Sequence, residues 1–180
     1  MANTHALAKK RLFFALWPDE DIRAAIASGA APAIKVAGSG AVQPVNYHIT
    51  LAFLGSVTVT TLPDLIATAG WVRFLPFEID LKRTGYWPRS KVAWLAPAEI
   101  AFQLPALVDD LWNKLADLGF QREDRPFMPH LTLGRMVDGG LGMQLDETVR
   151  WPVSSFVLVE STPGPAGPVY TVLEQFSAGA

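Results

Sequence analysis

Apolar residues recur along the chain in both strand-like and helix-like patterns. The apolar run at 11–17 predicts a first strand, and the proline and acidic residues after it favour a helix over 19–29. The segment 29–44, rich in Gly, Ala and Pro, is predicted to be a loop. β-Branched and aromatic residues at 46–54 predict a second strand, and apolar residues at helical spacing predict a helix over 62–73.

The second half of the chain continues this mixture. Residues 77–97 alternate between apolar and polar on both sides of a turn at Pro88–Ser90, which is the pattern of a β-hairpin. Leucine and valine at intervals of three and four predict a helix over 103–118 that stops at Gly119. The remaining predictions are a strand that begins at His130, a glycine-rich break at 139–142, and strands at 151–160 and 169–176.

Hairpins and helices are interspersed rather than regularly alternating. That order favours an α+β fold over a parallel sheet covered by helices. The 180 residues, half of them hydrophobic, match the size of one compact domain with an adequate core. We therefore expect residues 1–180 to form a single domain.

Charge and cysteine content exclude several classes of protein. A net charge of −2 argues against a protein that coats long nucleic acid with lysine and arginine, although a local basic pocket for one phosphate is compatible with it. The absence of cysteine excludes disulfides, thiolate zinc sites and cysteine nucleophiles.

Two apolar stretches bear on location. The one near the N-terminus is shorter than the apolar region of a signal peptide and runs directly into Pro18 and acidic residues. The alanine-rich segment 25–42 is interrupted by Pro32, Lys35 and glycines, so it is not predicted to span a membrane. We expect a cytoplasmic protein.

A histidine and a threonine two residues apart occur in two similar segments, His48-Ile49-Thr50-Leu51 and His130-Leu131-Thr132-Leu133. Successive side chains of a strand point to opposite faces, so each histidine shares a face with its threonine. The apolar neighbours would face the core, and the polar pair would then face solvent or a cleft. The repetition predicts two similar lobes whose His-Thr strands face a shared cleft.

Two histidines and two threonines that face one another would form an acid/base site. Histidine exchanges protons near neutrality, so two rings in opposite protonation states act as general acid and general base. The threonine hydroxyls can donate to an oxyanion or orient a ring. Such a site suits in-line displacement at phosphorus without a metal or cofactor. A cyclic phosphodiester is an apt substrate, because its leaving oxygen stays tethered to the ribose.

Structural and metal-binding roles are the alternatives. A single histidine in an apolar strand is usually structural, but the chain has three histidines, and all except His5 share the same four-residue pattern. Metal binding lacks a convincing third ligand, because threonine coordinates metals poorly and no Asp or Glu lies at a familiar ligand spacing. A Walker loop, a Rossmann fingerprint and a serine-nucleophile elbow are absent from the sequence.

The chain resembles the two-histidine phosphoesterase superfamily, specifically the RNA 2′,3′-cyclic phosphodiesterases once named bacterial 2′-5′ RNA ligases. The resemblance extends over nearly the whole chain. It is carried by RLFFAL at 11–16, HITLAFLG at 48–55, SKVAWLA at 90–96, RPFMPHLTLGR at 125–135 and VYTVLEQF at 169–176.

This resemblance implies a bilobal fold with two pseudo-symmetric antiparallel β-sheet lobes, outer helices and a central cleft. It implies metal-independent hydrolysis of a ribose 2′,3′-cyclic phosphate to a 2′-phosphate. It also implies that His48 is the proton donor and His130 the proton acceptor, roles that the residues by themselves leave interchangeable. Thr50 and Thr132 are implied as phosphate contacts.

Two further substrate-binding residues follow from the resemblance. Arg135 would clamp the phosphate, although strict alternation places it on the face opposite His130 unless Gly134 allows a bulge or a strand end. Phe127 and Phe13 could stack on a base or sugar; core packing is the alternative for both, and it suits Phe13 better. Lys91 stands where the family often has arginine, which leaves a phosphate role for it open.

Three functions fit this sequence. The first is hydrolysis of RNA or oligonucleotide 2′,3′-cyclic phosphate ends. The second is the reverse reaction, 2′-5′ RNA ligation, which abundant water should keep minor. The third is a non-catalytic module that binds a nucleotide or an RNA end. Expected partners are such RNA ends or small cyclic nucleotides, with no membrane and no obligate protein partner.

Overall fold

The structure, a computed structural model, describes residues 8–165 and 167–179, so His5 lies outside the described residues. Strands and helices are interspersed along these residues. The strands are β1 (Lys9–Leu16), β2 (Ile49–Thr58), β3 (Phe77–Trp87), β4 (Val92–Pro97), β5 (Leu131–Arg135), β6 (Gln144–Val153), β7 (Ser155–Gly164) and β8 (Gly167–Ser177). The α-helices are α1 (Glu20–Gly29), α2 (Ala31–Ala37), α3 (Leu62–Ala69) and α4 (Gln103–Ala116).

The strands form one antiparallel sheet in the order β6-β3-β4-β5-β2-β1-β7-β8. The sheet has two halves of four strands, which meet where β5 lies beside β2. One residue pair, Ile49 with Leu131, joins the two halves at this junction. The two motif strands therefore occupy equivalent central positions in the two halves. This architecture confirms the predicted α+β fold with two pseudo-symmetric antiparallel lobes.

The helices share one buried core with the apolar side chains of the two motifs. Helix α1 contacts β6, α2 contacts β5, α4 contacts β2, and α3 contacts α4. The largest buried cluster includes helix residues such as Ile26 and Leu107 together with Ile49 and Leu131. The apolar face of each motif strand is thus anchored under the helices, as its alternation predicts.

Part of the predicted loop over 29–44 is wrong. Residues Ala31–Ala37 form α2, and short 3-10 turns follow at Gly38–Gly40 and Pro44–Asn46. Alanine has the highest helix propensity, and Pro32 lies in the first helical turn, where a missing N–H removes no intrahelical hydrogen bond. Helix propensity therefore outweighs the glycine and proline content of this segment.

Two strand boundaries also differ from the predictions. Strand β2 continues past Gly55 to Thr58, because this glycine adopts a φ of 70° beside a bulge without steric strain. The predicted strand at 151–160 merges the end of β6 with β7, which are separated at Ser154. Strand β6 is an edge strand, where outward polar residues and Pro152 are tolerated, so its alternation is weak in the sequence.

The hairpin and the long helix of the second half are confirmed as β3, β4 and α4. The helix predicted over 62–73 ends earlier, at Ala69. Over the described ranges, no helix combines the length and the apolar character that crossing a membrane would require.

Candidate active site

The two His-Thr motifs lie side by side at the centre of the sheet. The antiparallel pair of Ile49 and Leu131 sets the register, which places His48 across from Thr132 and His130 across from Thr50. Ile49 and Leu131 are fully buried in the core, so the polar side chains project from the other face of the sheet. The structure thus brings together two imidazoles and two hydroxyls from strands that are distant in the chain.

Each histidine ring is held by the same type of hydrogen bond. Nδ1 of His48 lies 2.7 Å from the carbonyl oxygen of Asn46, and Nδ1 of His130 lies 2.8 Å from that of Met128. Because a carbonyl oxygen only accepts, each Nδ1 must carry a proton and donate it. In the neutral ring Nε2 is then unprotonated, so Nε2 of each histidine can accept a proton.

The aromatic surroundings of the two histidines differ. His48 is 8% exposed, and the indole of Trp17 stacks on its ring with centroids 5.5 Å apart and planes 16° apart. Phe13 lies 5.0 Å from the same ring and Tyr170 meets it edge-on at 5.1 Å. His130 is partly buried and meets the ring of Trp87 edge-on at 4.6 Å. His48 is therefore the more enclosed of two otherwise equivalent histidines.

Burial lowers the pKa of both histidines from its usual value. Burial lowers the pKa of His48 to about 4. The hydrogen bond to the Asn46 carbonyl opposes this shift, because it favours the protonated ring, whereas the charges of Arg135 and of protonated His130 add to it. Burial likewise lowers the pKa of His130, opposed by the Met128 carbonyl and assisted by Arg135 and Arg125. Both rings are therefore mainly neutral at pH 7 in the free protein.

A bulge in β5 returns Arg135 to the face that carries His130. Thr132 pairs with Trp94 and Arg135 pairs with Val92, so three residues of β5 advance while β4 advances by two. Trp94 and Val92 share a face of β4, and their partners Thr132 and Arg135 therefore share a face as well. The positive charge of Arg135 lowers the pKa of both histidines. Arg135 therefore shares a face with His130 because β5 contains a bulge, one of the two possibilities that the sequence leaves open.

The first motif contains the same irregularity, which brings Phe53 to the polar face. Thr50 pairs with Ala15 and Phe53 pairs with Phe13, so β2 also advances by three residues against two. Phe53 is the counterpart of Arg135, because each follows its motif threonine by three residues. Its side chain is 41% exposed, and the guanidinium of Arg11 lies over its ring at 4.7 Å.

A cavity of about 560 Å³ opens beside Thr50 and His130. Three arginines and several aromatic rings line it. The residues other than these two are Leu51, Phe53, Trp87, Arg89, Ser90, Trp112, Arg122, Glu123, Arg125, Pro126, Phe127 and Met128. Its lining carries three positive charges and one negative charge on a protein whose net charge is negative.

The three arginines of this cavity differ in their ion pairs. Arg122 binds Asp109 at 2.5 Å, and Arg125 pairs with Glu123. Arg89, in the β3–β4 turn, forms no ion pair within the described ranges. Arg89 is therefore the cavity arginine whose charge is not offset by a carboxylate among the described residues.

The other residues suggested by the sequence are distributed as follows. Phe127 is partly buried and lines the cavity, whereas Phe13 is 3% exposed and packs against His48. Lys91 is exposed and bound to Asp138 at 2.6 Å. This ion pair lies on the surface outside the cavity lining, and the hydrogen bond and charge of Asp138 raise the pKa of Lys91.

Sequence reasoning missed Phe53, Trp87, Arg89 and Arg125 as candidates for the site. The equal spacing of Phe53 and Arg135 from their threonines could have identified Phe53. Trp87 and Arg89 carry no such pattern, because only the fold of the hairpin brings Trp87 beside His130 and Arg89 to the cavity lining. In the part of the chain that the structure describes, no group of three His, Cys, Asp or Glu residues could hold a metal ion.

The chain matches the model of the LigT-like phosphoesterases in two segments, residues 16–94 and 95–170, each of which contains one His-Thr motif. A Thermus thermophilus protein named RNA 2′,3′-cyclic phosphodiesterase is 36% identical over 178 residues, which cover 93% of this chain and 89% of that protein. An Archaeoglobus fulgidus protein of the same name is 33% identical, with 92% and 99% covered.

Solved structures show the same fold. A crystal structure described as a phosphoesterase superposes with a TM-score of 0.87 at 30% identity, covering 96% of this chain and all of that one. The crystal structure of Escherichia coli LigT complexed with 3′-AMP superposes with a TM-score of 0.85 at 30% identity, again covering 96% of this chain and all of the other.

Proposed function

The chain belongs to the LigT-like phosphoesterase family, and we propose that it hydrolyses the 2′,3′-cyclic phosphate ends of RNA to 2′-phosphates without a metal. It is a cyclic phosphodiesterase, the activity for which its relatives are named. We propose further that residues 1–180 act as one two-lobed catalytic domain.

The observation that carries this proposal is the pairing of Ile49 with Leu131. It brings two histidines to one face of the sheet, each with Nδ1 bound to a carbonyl and Nε2 left for proton exchange. A pair of this kind serves a displacement in which one oxygen loses a proton as another gains one. Phosphodiester hydrolysis has that requirement.

The reaction proceeds by in-line attack of water on the cyclic phosphate. His130 accepts the proton of the attacking water, the oxygen of which bonds to phosphorus. The bond between phosphorus and the ribose 3′-oxygen breaks, and His48 donates a proton to that oxygen. The product is a 2′-phosphate with a free 3′-hydroxyl. Both rings hold the same type of hydrogen bond, which leaves the two roles interchangeable, so the assignment of His48 as donor and His130 as acceptor follows the family resemblance.

Thr50, Thr132 and Arg135 bind the phosphoryl oxygens. Within the described ranges, neither threonine hydroxyl forms a hydrogen bond with another residue, and both are therefore available as donors. Arg135 presents a planar, always charged guanidinium, which suits bidentate contact with a phosphate. These donors stabilise the charge that develops on the phosphoryl group.

The RNA that precedes the cyclic phosphate lies in the cavity beside His130. Phe53 and Phe127 provide aromatic faces for nucleobases, and Arg89 and Arg125 provide positive charge for phosphates. A site with few basic residues around one end fits a protein of net negative charge that binds RNA ends rather than long duplexes.

The test is incubation of the protein in EDTA with an oligonucleotide that ends in a 2′,3′-cyclic phosphate. We expect a 2′-phosphate product, identified by its resistance to an enzyme specific for 3′-phosphates. A 3′-phosphate product, or activity abolished by EDTA and restored by a divalent metal, would reject the mechanism.

Variants of the two histidines extend this test. His48→Ala and His130→Ala should each reduce kcat by at least about 100-fold, the usual contribution of a general acid or base. His5→Ala serves as the matched control and should retain full activity. Binding without turnover that is unchanged in both site variants would favour a non-catalytic module. Joined products from tRNA halves would favour 2′-5′ ligation.

A further inference from the structure

Trp17 joins the enclosed histidine to an arginine of α1. Its indole stacks on the His48 ring with planes 16° apart and centroids separated by 5.5 Å. The guanidinium of Arg23 lies over the same indole, 5.9 Å from its centroid. One indole is thus in contact with the imidazole that exchanges a proton and with a permanent cation.

Arg23 acts as a brace for Trp17, which means that its guanidinium restrains the position of the indole ring. Its side chain is 16% exposed, and its nearest carboxylate, that of Glu20, lies at the long distance of 3.4 Å. Its Nε is buried and has no hydrogen-bond partner among the described residues. Asp19 fixes the start of α1 by accepting from the backbone N–H of Ile22 at 2.9 Å. The helix therefore holds the guanidinium over the indole, on one wall of a separate cavity of about 350 Å³.

An indole face interacts differently with the two protonation states of His48. The ring quadrupole attracts a cation within about 6 Å of its centroid, so it favours the imidazolium over the neutral imidazole. Burial has the opposite effect, because it disfavours the charged ring. A proton donor must carry its proton when the leaving oxygen develops charge. Contact with Trp17 therefore acts in the direction that a donor needs.

The other groups that face His48 do not offer it a parallel ring face: Phe13 lies 5.0 Å away, but its ring is tilted by 37°. Arg135 of β5 and His130, which precedes β5, lower its pKa when they are charged. The Asn46 carbonyl favours the protonated ring through Nδ1, and Tyr170 of β8 meets the ring edge-on as a neutral group. Trp17 is the group whose ring face is parallel to the imidazole, so it also fixes the plane in which Nε2 lies.

We propose that Trp17, braced by Arg23, is a positioning residue for His48, which fixes the imidazole plane and favours the protonated ring for the donor step. The donor step rests on the proposed function, whereas the effect on the ring itself is independent of the substrate.

The experiment compares Trp17→Leu with Trp17→Phe in the full chain. Ring ¹⁵N chemical shifts report the pKa of His48, and steady-state kinetics with the cyclic-phosphate oligonucleotide report kcat and KM. Trp17→Leu should lower the pKa of His48 by roughly half a unit to one and a half units. It should reduce kcat about tenfold and change KM less than about twofold. Trp17→Phe retains an aromatic face and should restore most of both losses.

Trp71→Leu is the matched control. The guanidinium of Arg73 lies 5.7 Å from the Trp71 ring, which repeats the pairing, but Trp71 is exposed and lines neither cavity. It should leave the His48 pKa and kcat unchanged. A folded Trp17→Leu protein with the wild-type His48 pKa would overturn the proposal, as would equal losses in Trp71→Leu.

If Trp17→Leu does not fold, Arg23→Gln decides the question. Loss of the brace should reduce kcat about threefold at constant KM, because Trp17 is then less restrained. An unchanged kcat would overturn the proposal. A wild-type protein that does not hydrolyse the oligonucleotide would reject the proposed function, yet the ¹⁵N titration would still test the effect of Trp17 on His48.

Discussion

Ile49 and Leu131 are the pair through which the two halves of the sheet meet. Both side chains are fully buried, and the residues beside each of them are a histidine and a threonine. A slip of one residue at this junction would turn the polar groups of one strand into the core. The same apolar pair that joins the halves therefore also sets the relative positions of the two histidines and the two threonines.

The pH dependence of kcat/KM should have its maximum below pH 6.5. Burial lowers the pKa of both histidines, to about 4 for His48, so the free enzyme is mostly doubly neutral at pH 7. In the proposed mechanism, the active form carries one proton, shared between one protonated and one neutral histidine. Its population therefore rises as the pH falls from 7 and declines once both rings are protonated. Measurement of kcat/KM between about pH 4 and 9 checks this, since kcat/KM reports the free enzyme.

An optimum above pH 7 would contradict this assignment. The substrate introduces no competing titration, because a phosphodiester keeps a single negative charge across this range. Circular dichroism at each pH is the control for stability, because it distinguishes loss of the active form from acid unfolding. Unfolding is favoured at low pH, since histidines that are buried in the neutral form bind protons more readily in the unfolded chain.

Replacing Arg135 should separate its charge from its geometry. Arg135→Gln should reduce kcat/KM about 10- to 100-fold, because a charge-assisted contact with the phosphate is lost. It should also raise the pKa of both histidines, since the positive charge of Arg135 lowers them. Arg135→Lys should keep the histidine pKa values near those of the wild type but still weaken binding. Kinetics and ring ¹⁵N titration together measure both effects.

Arg150→Gln, on the exposed surface of edge strand β6, is the control and should change neither quantity. Equal effects of Arg135→Gln and Arg150→Gln would mean that only the overall charge matters. An unchanged kcat/KM in Arg135→Gln would remove this residue from the phosphate site.

The sequence identifies residues that share a local pattern within one strand better than residues that only the tertiary fold brings beside them. His48, Thr50, His130 and Thr132 follow from alternation within two strands. The face on which Arg135 lies depends on a bulge at Leu133. Alternation alone would place Arg135 on the opposite face of the strand. Trp87 reaches His130, and Arg89 reaches the cavity, only because β3 and β4 pair beside β5, a long-range arrangement that no local pattern encodes.

Phe53 should contribute to RNA binding more than to chemistry. Phe53→Ala should lower kcat/KM for an oligonucleotide substrate by about 5- to 150-fold, mainly through KM, because stacking of one base contributes about 1–3 kcal/mol. Phe53→Trp should retain most of the activity. The matched control is Phe102→Ala, at a residue that is 79% exposed and outside the cavity lining. A loss confined to kcat, or no loss, would exclude a stacking role.

The bulge that redirects Arg135 should be sensitive to the size of Gly134. A Cβ atom at Gly134 would lie 2.7 Å from the Cβ atom of Ala37 in α2, closer than real contacts allow. Gly134→Ala should therefore lower the free energy of unfolding by about 1–3 kcal/mol, the usual effect of overpacking. Urea denaturation measures this change. Gly139→Ala is the control, because no atom lies within 4 Å of a Cβ there, and it should leave stability nearly unchanged. If both variants are equally stable, α2 must shift to make room for the added methyl group. The close packing of α2 against β5 would then not be what holds Arg135 in place.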